Sequence, residues 1–287
     1  MAGTLHRLIS MSSPEVVSLA EATRRDGNAL VAVLPIGSIE QHGPLLPLGT
    51  DSMLAEGVVE AMASLWSSRS SATPRALLLP CWHFTNADTA LGFAGTASIA
   101  QDALRLALAS FLESILLLDV AAVVLLNGHG PNDPLLNELA FRLNQDAIRQ
   151  SKNRPPVLVG SIPVAMGPVY QHFGEPHGRH ADWLEVALLL HLLGNTLLEG
   201  REAAFERHAK AQGPTTFPLV GIPIERRGSE GVLGKGWLPG RSREELGKAA
   251  WDTFFPAFVG QIEANLAEAG AYLWPSTWSK LAERGPA

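Results

Sequence analysis

Glu40, His42 and Asp51 fall within one short stretch that is stiffened by Gly43, Pro44, Pro47 and Gly49. Two carboxylates and an imidazole on a rigid loop are the ligand types for a hard or borderline divalent metal. The alternative is a polar turn whose charges only cap the next helix. Three further places carry such residues. His129 lies in Asn127-Gly-His-Gly, where glycines let the backbone bend and leave room beside the imidazole. It is either a ligand or a capping histidine. His177, His180, Asp182 and Glu185 follow one another closely, and Glu185 leads directly into Val186-Ala-Leu-Leu-Leu190. A carboxylate at the head of so apolar a helix is not simply solvated. It is either a ligand or the partner of an arginine such as Arg179. The loop with His83, Asp88 and Thr89 has no recognisable ligand spacing, and either lines a substrate pocket or connects elements at the surface.

Other candidates are weaker. His6, His172, His191 and His208 stand without companions and read as structural or surface groups. Trp82, Trp183 and Trp237 are large enough to cover a small planar substrate, although aromatic side chains are more often simply buried. No G-x-S-x-G elbow occurs, which disfavours a serine hydrolase, and no G-x-x-x-x-G-K-[ST] loop is present. Cys81 has no activating partner in the sequence and reads as a small buried hydrophobe.

These residues need elements to hold them. Val31 to Pro35 is an apolar, β-branched run, so Glu40 to Asp51 leave the carboxyl end of a buried strand spanning Asn28–Pro35. Asp51 to Trp66 carries apolar residues at helical spacing. Further buried strands are expected at Ala76–Pro80, at Ala121–Leu126, directly before His129, and at Pro156–Pro163. Helices are expected from the capping boxes Ser12–Glu15 (to Arg24), Ser98–Gln101 (to Leu118) and Ser242–Glu245 (to Ala269), and also from Asn132 to Gln150 and over Asp182–Leu193. Solid apolar strands alternating with helices predict a parallel sheet covered on both faces, with ligands bound at the carboxyl ends of its strands. The glycine-rich stretch Gly228–Gly240 is the only plausible hinge.

Composition narrows the classes. The chain has 287 residues, 46% of them hydrophobic, and carries a net charge of −6 without a basic tract. One large core, a single domain over residues 1–287, is expected, and a nucleic-acid partner is not. A single cysteine excludes an intrachain disulfide and fits a cytoplasmic location. Met1–Ser13 has no apolar signal-peptide core. Leu104–Leu126 is nearly long enough to cross a membrane. Arg105, Glu113 and Asp119 interrupt it, so it reads as a buried helix and strand, and no membrane partner is expected.

The motifs, taken together, resemble those of the creatininase (creatinine amidohydrolase) family. Leu34-Pro-Ile-Gly-Ser-Ile-Glu-Gln-His-Gly-Pro-Leu-Leu-Pro-Leu-Gly-Thr-Asp51 is similar to its long signature, and Asn127-Gly-His-Gly-Pro-Asn132 to its N-G-H-G-G-N. Phe93-Ala-Gly-Thr96, His180-Ala-x-x-x-Glu185 and Gly231-Val-Leu-Gly234 resemble F-P-G-T, H-A-G-E-x-E-T-S and G-V-x-G, in family order.

The resemblance implies a three-layer α/β/α sandwich with a mostly parallel central sheet, and a metal-dependent amidohydrolase that cleaves a C–N bond of a small amide. Formamide hydrolases and a peptidase of the same family, or a metabolite-binding descendant without catalysis, are the alternatives. It implies two divalent ions, Zn²⁺, Mn²⁺ or Fe²⁺, sharing Asp51, one with Glu40 and His129 and the other with His42 and an acidic residue. Creatininases proper place that acid two residues after the N-G-H histidine, where this chain has Pro131. Glu185 takes the role, with Asp133 as competitor. His180 is expected to protonate the leaving nitrogen, with His177 as its substitute. Trp82, His83, Asp88, Gly130 and His177 are expected around the substrate. The family's Y-G-x-S-x-E-H is replaced by Phe84–Ala90, which argues against creatinine itself. A homo-oligomer, a hexamer by resemblance, is expected.

Overall fold

The computed structural model describes residues 5–69, 73–150, 154–177, 180–213 and 230–273. Five parallel strands form one sheet in the order β1-β3-β2-β4-β5. They are β1 (His6–Arg7), β2 (Leu30–Ile36), β3 (Arg75–Leu78), β4 (Ala122–Asn127) and β5 (Val157–Ser161). Every residue of β2 and β4 is buried, which explains their unbroken apolar sequences. Pro35 is tolerated in a central strand because its missing N–H would face the same side as its carbonyl. On that side β3 has already ended, and the carbonyl accepts from Trp82 N instead at 2.9 Å.

Helices cover both faces. α1 (Ser13–Arg25), α3 (Gln101–Ile115) and α4 (Asp133–Arg149) lie on one side, where Leu104, Leu108, Leu112, Leu136 and Leu139 pack on Ala32, Leu34 and Leu125. α2 (Thr50–Ser68), α7 (Trp183–Leu193) and α9 (Arg243–Leu273) lie on the other with Val31, Val33 and Val124. Two short helices, α5 (Ile162–Ala165) and α6 (Gly167–His172), and then α8 (Glu202–Ala209) complete the described α-helices. α7 is apolar almost all round and is sheathed by α2 and α9. Among the described residues no helix is long and apolar enough to cross a membrane.

The expected elements are present with shifted ends, and two expectations change. Ser98 does not cap α3. Its hydroxyl donates to Asp88 at 2.6 Å and accepts from Ala87 N at 2.9 Å, bracing the long loop instead. α3 is amphipathic rather than buried throughout, with Leu106 pointing to solvent. The edge strand β1 was too short to show a period. Part of Gly228–Gly240, the expected hinge, lies outside the described residues.

The topology fixes where a site can form. From β2 the chain crosses by α2 to β3, and from β4 it crosses by α4 to β5, so the two connections run to opposite sides. The loops leaving β2 and β4 therefore diverge and leave a crevice at the carboxyl ends, the usual ligand position in open α/β sheets.

Candidate metal centre

Glu40, His42 and Asp51 come from the β2–α2 loop and the first turn of α2; His129 comes from the β4–α4 loop across the crevice. The first loop is closed on itself by Glu40 N to Leu48 O at 2.9 Å and by the His42 pairing with Leu46. The second is braced by Asn127, whose amide donates to His129 O at 2.7 Å and Asp133 Oδ1 at 2.8 Å. Asn132 reaches back to Gly37 O. Asp51 at the positive end of α2 is well placed for a carboxylate. His180 and Glu185 arrive from the start of α7. There Asp182 caps the helix, and the Glu185 carboxylate accepts from Ala181 N at 2.7 Å, holding Ala181 at a positive φ of 51°. The segment Gly231–Gly234 holds His180 through Leu233 N to His180 O at 2.9 Å, and Gly231 O accepts from the Gln41 amide.

The donor atoms form overlapping triads: Glu40–Asp51–His129, His42–Asp51–Glu185 and Glu40–His42–His180. Asp51 lies between the first two, with Oδ1 3.1 Å from His42 Nε2 and Oδ2 2.9 Å from His129 Nδ1. His129 Nδ1 is also 3.1 Å from Glu40 Oε1, and Glu185 Oε2 is 3.8 Å from His42 Nε2. All are buried or nearly so.

Each histidine is oriented in the same way. His42 Nδ1 meets Glu40 O at 3.0 Å, His129 Nε2 meets Asn86 O at 3.0 Å, and His180 Nε2 meets Gln41 O at 2.6 Å, with the Gln41 side-chain amide nitrogen also 2.9 Å from that ring nitrogen; each carbonyl can only accept, so it calls for the ring proton on its side. The outward nitrogen therefore carries the proton, and the inward nitrogen presents a lone pair to the carboxylates. Lone pairs and carboxylate oxygens about 3 Å apart repel unless a cation stands between them, whether a proton or a metal. Main-chain carbonyls are also the usual second partners of metal-binding imidazoles. Glu40 Oε2 is buried and has no hydrogen-bond partner among the described residues, a costly state that a cation relieves.

Titration reflects the same crowding. Burial would lower the His42 pKa, but the charge and hydrogen bond of Asp51, with Glu185 and Glu40, raise it to about 10. His129 is likewise raised well above 6.5, against burial, by Glu40 and Asp51. Asp51 is held far below the usual range: burial works upward, and His42 and His129 outweigh it. Burial pushes Glu185 up to about 8, opposed by His42. For His180 burial and the charge of His42 win, and its pKa falls to about 4.

Among the expected site residues, Glu40, His42, Asp51, His129, His180 and Glu185 are thus brought together. Asp133 is not; it accepts from Asn127 and from the Ser161 hydroxyl, each at 2.8 Å. Arg179, the alternative partner for Glu185, lies outside the described residues. Trp82 turns its ring onto Phe111 and donates to Phe84 O. Trp183 is core, edge-on to Tyr170 and Phe173, and Trp237 packs on Phe205. Asp88 is exposed and spent on Ser98, His177 lies against Tyr170, and Gly130 opens the turn before α4 near Pro163. His83 faces a separate cavity. Sequence reasoning missed Asn86 and Gln41, which act through main-chain carbonyls and leave no side-chain signal. His208, read from the sequence as a structural or surface group, is fully buried beside Gly43 and Gly236.

The fold and this cluster define an α/β protein whose switch-point crevice holds a buried His/Glu/Asp cluster capable of binding metal. A family model described as creatininase, creatinine amidohydrolase, matches residues 11–262, and the chain belongs to that family. A mycofactocin precursor peptide peptidase of Mycobacterium ulcerans is 32% identical over 173 residues, 60% of this chain and 62% of the relative. Its counterpart in Mycobacterium tuberculosis is 29% identical over 210 residues, 70% of this chain and 73% of the relative. The chain thus spans under two thirds of the first relative's length. A solved creatinine amidohydrolase (creatininase) shares the fold with a TM-score of 0.70 at 21% identity, over 92% of this chain and 98% of the other. A creatininase solved with Mn superposes with a TM-score of 0.71 at 19% identity, over 92% and 99%.

Proposed function

We infer that the protein is a metal-dependent amidohydrolase that cleaves a C–N bond of a small amide with two divalent ions. Glu40, Asp51 and His129 would hold one ion and His42, Asp51 and Glu185 the other. The observation that carries this reading is the common orientation of the histidines, each tied outward to a main-chain carbonyl with its free nitrogen facing buried carboxylates. The donor set is nitrogen and oxygen only, which suits Zn²⁺, Mn²⁺ or Fe²⁺. When bound, such ions would lower the pKa of a water and polarise a carbonyl.

The protein's own residues supply the proton traffic. Amide nitrogen leaves only when protonated. His180 is neutral at pH 7 and keeps its Nε2 proton on Gln41 O, so Nδ1, 3.5 Å from Glu40, is the atom that faces the reaction. It accepts the proton released by the attacking water and delivers it to the leaving nitrogen, a role worth roughly 10²–10⁴-fold in rate. His180→Asn should therefore keep full metal content and lose about a hundredfold or more in kcat. An unchanged kcat with intact metal content would end this assignment.

A second reading, a peptidase, is favoured by the peptidase names of the curated relatives. The deciding experiment is a screen of metal-reconstituted protein against lactams, cyclic ureas, formamides and the mycofactocin precursor peptide. Turnover of the peptide alone selects the second reading. Turnover of none by fully loaded protein refutes hydrolysis and leaves a binding protein.

A further inference from the structure

We propose that Glu56, Cys81 and His83 form a third metal site, separate from the crevice and selective for a thiophilic divalent ion of the zinc type. After β3 the chain runs extended beside the end of β2, with Trp82 N bonded to Pro35 O at 2.9 Å and Gly37 N to Trp82 O at 3.0 Å. Extended residues alternate in direction. Trp82 turns to the α3 face and packs on Phe111, so Cys81 and His83 turn together toward α2. There Ser52 and Glu56, four residues apart, share one side of the helix. The Cys81 thiol lies against the Ser52 hydroxyl and the Gly37 N–H, and Glu56 stands beside it.

The thiol sulfur, a ring nitrogen of His83 and a carboxylate oxygen of Glu56 all lie within 4.8 Å of one another, and all three residues are half-buried. They line a cavity of about 180 Å³ that reaches out to Arg7. The Arg7 guanidinium is already paired with Glu60 at 2.9 Å. Glu56 has no ion pair among the described residues, so a carboxylate, a thiol and an imidazole converge on a cavity whose lining arginine, Arg7, is engaged elsewhere.

None of the three belongs to the crevice cluster. Asp51 and Ser52 are neighbours on α2 but point to different sides, one to each site. Sulfur, nitrogen and oxygen donors select zinc-type ions over Mn²⁺ and Mg²⁺, whereas the crevice offers no sulfur. Three protein ligands leave one tetrahedral position for water or a small ligand. Burial and the Glu56 carboxylate push the Cys81 thiol up to about 12, so the metal-free thiol is protonated. A coordinated thiol is deprotonated outright, and binding releases that proton.

Cys81 is the chain's single cysteine, so a thiolate-to-cobalt charge-transfer band reports this site and no other. Co²⁺ titrated into the full chain should raise that band in the near ultraviolet to saturation, and Zn²⁺ should abolish it. Glu56→Gln and His83→Ala should each weaken Co²⁺ binding read at the band by roughly tenfold or more. In the wild-type protein, one equivalent of Zn²⁺ beyond that filling the crevice should slow alkylation of Cys81 at least as much. This second measurement decides the matter if either variant fails to fold. No band in the wild-type protein, undiminished affinity in either folded variant, or alkylation indifferent to Zn²⁺ would overturn the site.

Discussion

Gly128 joins the fold to the metal centre at one atom's width. It follows β4 directly and precedes His129, and its N–H is bonded to Ile36 O at 2.8 Å. A Cβ placed there would lie 3.1 Å from the carbonyl carbon of Asp51, with the carbonyl oxygen closer still, and 3.4 Å from Ala55 Cβ. Carbon atoms rest at about 3.5–4.0 Å, so Gly128→Ala must part the β4 loop from the first turn of α2 by roughly 0.5–1 Å. Neither side yields easily, because the obstacle is helix backbone and not the end of a flexible side chain. Overpacking of this kind costs about 1–3 kcal/mol, or about 2–10 °C in Tm for a chain of this size. The same opening falls on the 2.9 Å approach of His129 Nδ1 to Asp51, the contact that joins the two loops. A ligand displaced by that distance should weaken metal binding at least tenfold, and misplacement of about 1 Å is worth up to a hundredfold in rate. Gly130→Ala is the control, since its nearest neighbour is Pro163 Cβ at 3.8 Å, an ordinary contact. It should melt within about 0.5 kcal/mol of wild type and bind metal normally. Calorimetric melts and metal titrations on both variants test the argument. Wild-type Tm and metal affinity in Gly128→Ala would refute it.

Three other outcomes are expected. Asp51→Asn should lose more metal by elemental analysis than any other single ligand replacement, because both triads of the inferred pair contain it; retention of both ions would remove the bridging role. Glu185→Gln should lose one ion while Asp133→Asn loses none, and the reverse pattern would show that Asp133 is the fifth ligand. The metal-free protein should be most stable between about pH 4 and 6.5. His42 has a folded pKa raised to about 10, so its contribution is full below 6.5 and is lost as pH climbs to 10. Asp51 is depressed, so its contribution is lost as pH falls below its unfolded value. Ligation needs the inward nitrogens deprotonated, so the gap in unfolding midpoint between loaded and chelated protein should widen from pH 6 to 9. A constant gap would contradict the assigned imidazole roles.

The sequence by itself determined whatever depends on neighbours in the chain. The solid apolar runs of β2 and β4 announced a buried parallel sheet, since burial on both faces removes any polar alternation. Glu40, His42 and Asp51 could be read as a group because one rigid loop carries all three. The tertiary structure alone decided which distant groups join them. Glu185 and Asp133 both looked eligible. Packing spends Asp133 on Asn127 and Ser161, while the buried α7 carries Glu185 to His42. The carbonyls of Gln41 and Asn86 that orient two histidines have no residue-type signature at all. Ser98 had the pattern of a helix cap but found a better partner in Asp88, because a cap is a local contact that any well-placed loop can outbid. Nothing in the sequence links Cys81 and His83 to Glu56, which lies most of a helix, a loop and a strand before them. Strand alternation and the turn of α2 aim all three into one cavity, a through-space coincidence that spacing along the chain cannot encode.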